Sequence, residues 1–165
     1  MSSADERRPL VLLDIDGVIH DRKAMAEIRF SDDPDATASQ LGITVVVSHG
    51  HRLAFPDYMP GLVRELDAVT EIRWCTTWRH RANDEIREHL GVEPLQVIDD
   101  STRAVGLDWK VATATPIVEE ALTAGRAVYW IEDFAGVFPD TDRITYIDTA
   151  DAGILRRDDI PPELR

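Results

Sequence analysis

Five short, mainly apolar runs recur along the chain, at 10–13, 72–75, 95–98, 127–131 and 144–147. Runs this short and this apolar predict strands buried on both faces, the habit of parallel sheets covered by helices. Helical spacing fills the gaps between them. Leu62, Val63, Leu66 and Val69 follow Pro60; Ala82, Ile86 and Leu90 precede Gly91; Ile117, Val118, Ala121 and Leu122 precede Gly125. Strands alternating with helices predict an α/β fold, a Rossmann-like doubly wound parallel sheet with helices on both faces. Pro60 suits the first turn of its helix, and Thr115 followed by Pro116 reads as the cap and first turn of the last one. A chain of 165 residues is one domain's worth.

One stretch departs from the alternation. Ile43 to Ser48 is rich in β-branched residues, His49-Gly50 suits a tight turn, and His51 to Phe55 can return as a second strand, which predicts a β-hairpin. Residues 20–40 are polar, with Asp32, Asp33, Pro34 and Asp35 clustered, and read as loop or irregular helix. The interval 20–58 is therefore a small hairpin insertion, with no room for a full cap domain. The tail after Asp148 is short and carries Pro161 and Pro162.

Residues that follow a strand at its carboxyl end are where open α/β sheets place reacting groups. Asp14 and Asp16 follow the first run, and Gly17 lets the chain turn away behind them. Thr76, Thr77 and Trp78 follow the second run, Lys110 precedes the last helix, and Glu132-Asp133 follow the fourth run. Carboxylates gathered at one edge repel and raise one another's pKa unless something neutralises them. Hard oxygen donors without a cysteine or histidine cluster favour magnesium. A carboxylate nucleophile, a second carboxylate to shuttle a proton, a hydroxyl, a fixed cation and a metal together fit phosphoryl transfer. Period-two parity favours Thr76 over Thr77 as the phosphate ligand.

These residues resemble the four motifs of the haloacid dehalogenase superfamily, in order and at strand ends: Asp14-Ile15-Asp16-Gly17-Val18, Thr76, Lys110 and Glu132-Asp133. The resemblance runs from Leu10 to about Phe138. The Trp-Cys-Thr-Thr-Trp run, Ala82-Asn83 and Trp109-Lys110 further resemble a small bacterial group related to the phosphatase domains of RNA-repair proteins. The resemblance implies a phosphatase in which Asp14 forms an aspartyl-phosphate and Asp16 protonates the leaving group, then activates water. It also implies that Thr76 and Lys110 hold the phosphoryl oxygens. Magnesium would be bound by Asp14, the main-chain carbonyl of Asp16 and Asp133, with Glu132 in support. Gly17, Thr77, Trp78 and Arg79 fall on the substrate side, Trp78 as a possible stacking platform. An uncapped site of this kind admits large substrates such as phosphorylated nucleic-acid ends. Small-metabolite phosphatase, nucleotidase or phosphotransferase activity, and a binding module of haloacid-dehalogenase-like fold with little turnover, stand as alternatives.

Charge restrains the nucleic-acid reading. Asp and Glu outnumber Lys and Arg 31 to 18, and a net charge of -13 disfavours long-range attraction to polyanions or anionic membranes. Arg79, His80 and Arg81 form the one basic knot beside the motifs, and surface solvation is its default role. The single cysteine, Cys75, excludes an intrachain disulfide and reads as a small buried apolar residue. No apolar segment has the length of a signal-peptide core or membrane span, so a soluble cytoplasmic protein is expected. The five histidines share no metal spacing, and His20, four residues past Asp16, reads as lining the entrance. Asp99-Asp100 reads as a strand end leading to Ser101 and Thr102, and Asp158-Asp159 as a capping turn.

Overall fold

The computed structural model describes residues 8–100, 107–134, 136 and 141–165; Ser101, Thr102 and Phe138 lie outside the described residues. In chain order the elements are β1 (Leu10–Leu13), α1 (Arg22–Arg29), α2 (Pro34–Leu41), β2 (Ile43–Ser48), β3 (His51–Pro56), α3 (Met59–Val69) and β4 (Glu71–Trp74). Then follow α4 (Arg81–Glu85), α5 (Arg87–Leu90), β5 (Gln96–Val97), α6 (Asp108–Thr123), β6 (Val128–Glu132) and β7 (Thr145–Asp148). Five strands form a parallel sheet in the order β5-β4-β1-β6-β7, so the first strand is central. This is the Rossmann-like arrangement that the apolar runs predict.

Strand parity divides the sheet's two faces. Val11 and Leu13 pack with Ile72, Trp74, Tyr129 and Ile131 against Leu62 and Leu66 of α3, Ile86 at the break between α4 and α5, and Leu90 of α5. Ile154, Leu155, Ile160 and Leu164 close the same face, so the short tail is core rather than appendage. Leu10 and Leu12 pack with Cys75, Val128 and Trp130 against Trp109, Ala114, Val118 and Ala121 of α6. Each such large apolar side chain contributes roughly 1.5–3 kcal/mol when fully buried.

The segment read as loop or irregular helix folds into two short regular helices. Asp21 caps α1 by accepting from Ala24 N at 2.8 Å, and Asp33 caps α2 by accepting from Ala36 N at 3.0 Å, with Pro34 behind it. Only Ala24 and Ile28 of α1 are buried and α2 buries nothing, so apolar periodicity is too sparse to announce either helix. The hairpin is as expected: β2 and β3 pair antiparallel, and His49 and Gly50 both take positive φ, as the tight primed turn requires. The insertion has its own small core of Ala24, Ile28, Ile43 and Ala54.

Pro116 lies inside α6, and the helix begins eight residues earlier at Asp108. A proline costs about 3 kcal/mol in a helix interior, but burial of Trp109, Lys110 and Ala114 ahead of it holds the helix together. Thr115 caps nothing, and its hydroxyl donates back to Val111 O at 2.7 Å. The helix predicted through Ala82, Ile86 and Leu90 is broken at Ile86 into α4 and α5, with Gly91 at φ 70 ending it. No helix among the described residues is long and apolar enough to cross a membrane.

Candidate active site

Parallel register brings the strand ends together. Leu13 pairs with Trp74 on one side and Ile131 on the other, so Asp14 lies between Cys75 and Glu132. Asp14 N–H donates to Ile131 O at 3.1 Å, and Cys75 N–H to Leu13 O at 2.9 Å, carrying the ladder one residue past the strands. Asp14 and Glu132 share the parity of Leu12 and Trp130 and so face α6. Lys110, in the first turn of α6 rather than ahead of it, meets both: its Nζ donates to Glu132 Oε2 at 2.6 Å and lies 3.1 Å from Asp14 Oδ2.

All three groups are buried, with relative exposures of 5% for Asp14, 1% for Glu132 and 1% for Lys110. Burial alone would lower the Lys110 pKa, but the facing Asp14 and Glu132 carboxylates outweigh it and hold it above its usual value. A cation in the first turn of a helix opposes the helix dipole, so these carboxylates are also what make Lys110 tolerable there. Burial pushes Glu132 up to about 9, and Asp14 adds to the rise while Lys110 opposes it. Burial also raises Asp133, helped by Asp14 and opposed by Arg22.

Asp14, Glu132 and Asp133 each offer one oxygen, and these oxygens lie within 4.8 Å of one another. Three hard donors with an excess of negative charge that Lys110 only partly offsets suit a divalent cation of the magnesium class. The fourth expected carboxylate is elsewhere. Asp16 is not in that group of oxygens: it bridges to His20, and the N–H groups of Val18, Ile19 and His20 all turn back to Ile15 O. Its Oδ2 accepts from Trp78 Nε1 at 2.8 Å.

Gly17 sits beneath Asp133 at φ 74, and a Cβ there would lie 2.2 Å from Asp133 Oδ2. Its role is close approach. Thr76 is buried at the end of β4 and its Oγ1 accepts from Trp78 N at 3.3 Å, while Thr77 is exposed. Arg79 does not stand open to a substrate: it pairs with Asp99 at 3.5 Å and Asp100 at 3.3 Å, and its guanidinium stacks 4.5 Å from the Trp109 ring centroid. His20 is buried rather than lining an entrance, and its Nδ1 accepts from Ala54 N at 3.0 Å. Burial lowers its pKa, which keeps it in the neutral form that this bond needs. Cys75 is fully buried and its thiol pKa is driven up by burial, as fits an inert apolar residue.

Two contributors carry no local sequence signal. Arg22, opening α1, donates from Nη2 to Asp133 Oδ2 at 2.7 Å. Thr149, buried just after β7, donates to Gly17 O at 2.7 Å while its N–H donates to Glu132 O at 3.0 Å, tying the loop after β1 to the end of β6. Phe134 stands exposed next to Asp133. A groove of about 580 Å³ opens at the opposite edge of the sheet, lined in part by Arg73 and Arg126. Both arginines are paired with Glu71, and none of the groups above reaches it. Comparison of the chain with family models, curated proteins and solved structures returns no match.

Proposed function

We propose that the protein is a magnesium-dependent phosphomonoester hydrolase working through an aspartyl-phosphate on Asp14. The observation that carries this reading is the buried Lys110 ammonium held between Asp14 and Glu132 at the ends of adjoining strands. Burying an ammonium among carboxylates costs several kcal/mol of desolvation, which an apolar side chain of similar volume would avoid. Strongly perturbed groups packed at the carboxyl edge of a parallel sheet mark a reacting site rather than a core. The resemblance of the four motifs to the haloacid dehalogenase superfamily adds support.

Asp14 attacks phosphorus as a carboxylate and needs no base. Its oxygen forms the new O–P bond as the bond to the leaving alcohol breaks, and Asp16 gives that alcohol its proton. Asp16 then takes a proton from water, whose oxygen attacks phosphorus and releases inorganic phosphate and free Asp14. Lys110 and the Thr76 hydroxyl hold the phosphoryl oxygens throughout. Magnesium would be held by Asp14, Asp133 and the main-chain carbonyl of Asp16, with Glu132 in support, and would supply positive charge for the phosphoryl oxygens. Arg22, Arg79 and Arg81 are each paired with carboxylates, which leaves less to draw a polyanion and weighs toward small phosphoesters.

Phosphate release with magnesium tests the reading on a panel of small phosphoesters, nucleotides and oligonucleotides with 5′- or 3′-phosphate ends, with Asp14→Asn beside the wild type. Turnover that disappears in Asp14→Asn and on chelation is expected. Turnover that survives Asp14→Asn, or none from any panel member in a folded, magnesium-binding protein, overturns it.

A further inference from the structure

Trp78 follows Thr76 by two residues, and its indole is held in place from several sides. The His51 ring stands edge-on to it, with ring centroids 5.2 Å apart, and the Arg81 guanidinium lies 4.9 Å from its centroid. Arg81 donates to His51 Nε2 at 2.6 Å and to Glu85 Oε1 at 2.8 Å, so β3 and α4 grip the indole jointly. The Trp78 main-chain N–H reaches Thr76, and its side-chain Nε1–H donates to Asp16 Oδ2 at 2.8 Å. Asp16 bridges to His20 just before the turn at Gly17, and Trp78 holds one of its carboxyl oxygens.

We propose that Trp78 is the positioning residue for the general acid, and that the β2-β3 hairpin, through His51, sets where Trp78 stands. The inference rests on the phosphatase reading above. The indole N–H fixes one carboxyl oxygen of Asp16, so the proton is carried on the other, Oδ1, and faces the leaving group in one orientation. General acids act through geometry first, and a misplacement of about 1 Å costs roughly 100-fold. The hairpin thereby touches the chemistry through Trp78.

Trp78→Phe keeps an aromatic ring for His51 and Arg81 and removes only the N–H donor. The readout is kcat/KM, which covers steps only as far as departure of the alcohol. It is compared for an alkyl phosphate, whose alkoxide leaves only with a proton, and p-nitrophenyl phosphate, whose phenolate leaves without one. The expected result is a loss of about 10- to 100-fold on the alkyl phosphate, the cost of a misplaced proton donor, with little change on the aryl ester. Added to Asp16→Asn, Trp78→Phe is expected to cost nothing further on the alkyl phosphate, because the group it positions is gone. His51→Ala is expected to show the same selectivity in weaker form, and it carries the test if Trp78→Phe fails to fold. Equal losses on both substrates, or losses additive with Asp16→Asn, reduce Trp78 to packing and overturn the inference alone. No phosphate release by the wild type from either ester overturns the phosphatase reading and this inference with it.

Discussion

Replacing Gly17 by alanine adds one methyl group where there is no room for it. The new Cβ would lie 2.2 Å from Asp133 Oδ2, 2.7 Å from its Cγ and 2.8 Å from its Cβ. Ordinary contact begins at 3.4 Å, so the closest approach falls short by about 1.2 Å. Neither side retreats freely. The Gly17 carbonyl accepts from Thr149 and its N–H donates to His20 O at 3.0 Å, while Asp133 follows directly on β6 with Arg22 on its Oδ2. Two effects should separate. A non-glycine residue at φ 74 costs about 1–2 kcal/mol, and a shift of about 1 Å in Asp133 or in the loop bearing Asp16 costs roughly 100-fold in rate. Gly125 isolates the first effect, because it has the same φ of 74 and nothing within 4 Å of its added Cβ. Unfolding curves and magnesium-dependent phosphate release on both alanine variants make the comparison. Gly125→Ala should lose about 1–2 kcal/mol of stability and keep full turnover. Gly17→Ala should lose more stability than that and nearly all turnover. A Gly17→Ala protein as stable and as active as Gly125→Ala would refute the reasoning.

Glu132 predicts a pH dependence of stability in the metal-free protein. Its pKa is 4.5 as a free side chain and about 9 when folded, so the folded state holds the extra proton, and stability falls as pH rises from 4.5 to about 9. Melting temperatures of wild type relative to Glu132→Gln should decline across that window, and excess magnesium should flatten the decline. A flat difference without metal would count against the buried cluster. Arg22→Ala removes a cation that competes for Asp133, so magnesium should bind up to about fivefold more tightly by calorimetry, the worth of one largely exposed ion pair. Weaker binding in that variant would mean that Arg22 helps to build the site instead.

The sheet and the line of site residues along its edge were legible because one property, burial on both faces, produces both the apolar runs and their abrupt polar ends. Asp14 and Glu132 could be placed at one edge because each follows an apolar run, and Lys110 because it opens the helix that leads into the fourth run. What local pattern hides is whatever tertiary contact decides. The helices α1 and α2 depend on Asp21 and Asp33 as caps; α1 offers only the pair Ala24 and Ile28, one turn apart, and α2 buries nothing. Pro116 looked like a boundary because proline is costly in a helix, yet the burial of Trp109 and Ala114 outweighs that cost. The bonds from Arg22 to Asp133 and from Thr149 to Gly17 join residues 111 and 132 positions apart, where spacing carries no information. The partner of Asp16 was equally hidden. Trp78 reads from sequence as a platform for a substrate, and its indole N–H is turned onto a carboxylate of the chain itself.

The central place of β1 has a consequence for how the chain comes together during synthesis. Leu10–Leu13 is made before either of its neighbours, which begin at Glu71 and Val128, so both edges of an entirely apolar strand stay open until β4 is made, and the β6 edge stays open while more than half of the chain is added. An open apolar edge is a template for pairing with the wrong partner, and parallel pairings between distant segments close slowly. Mutual repulsion among nascent chains with so marked an acidic excess works against such mispairing in that interval. The carboxylate cluster shares the same schedule. Asp14 has neither its lysine nor its neighbouring acids until α6 and β6 have docked, and the loop at Gly17 is pinned only once Thr149 arrives. The groups that repel one another most are thus brought together last, when a finished sheet is there to hold them.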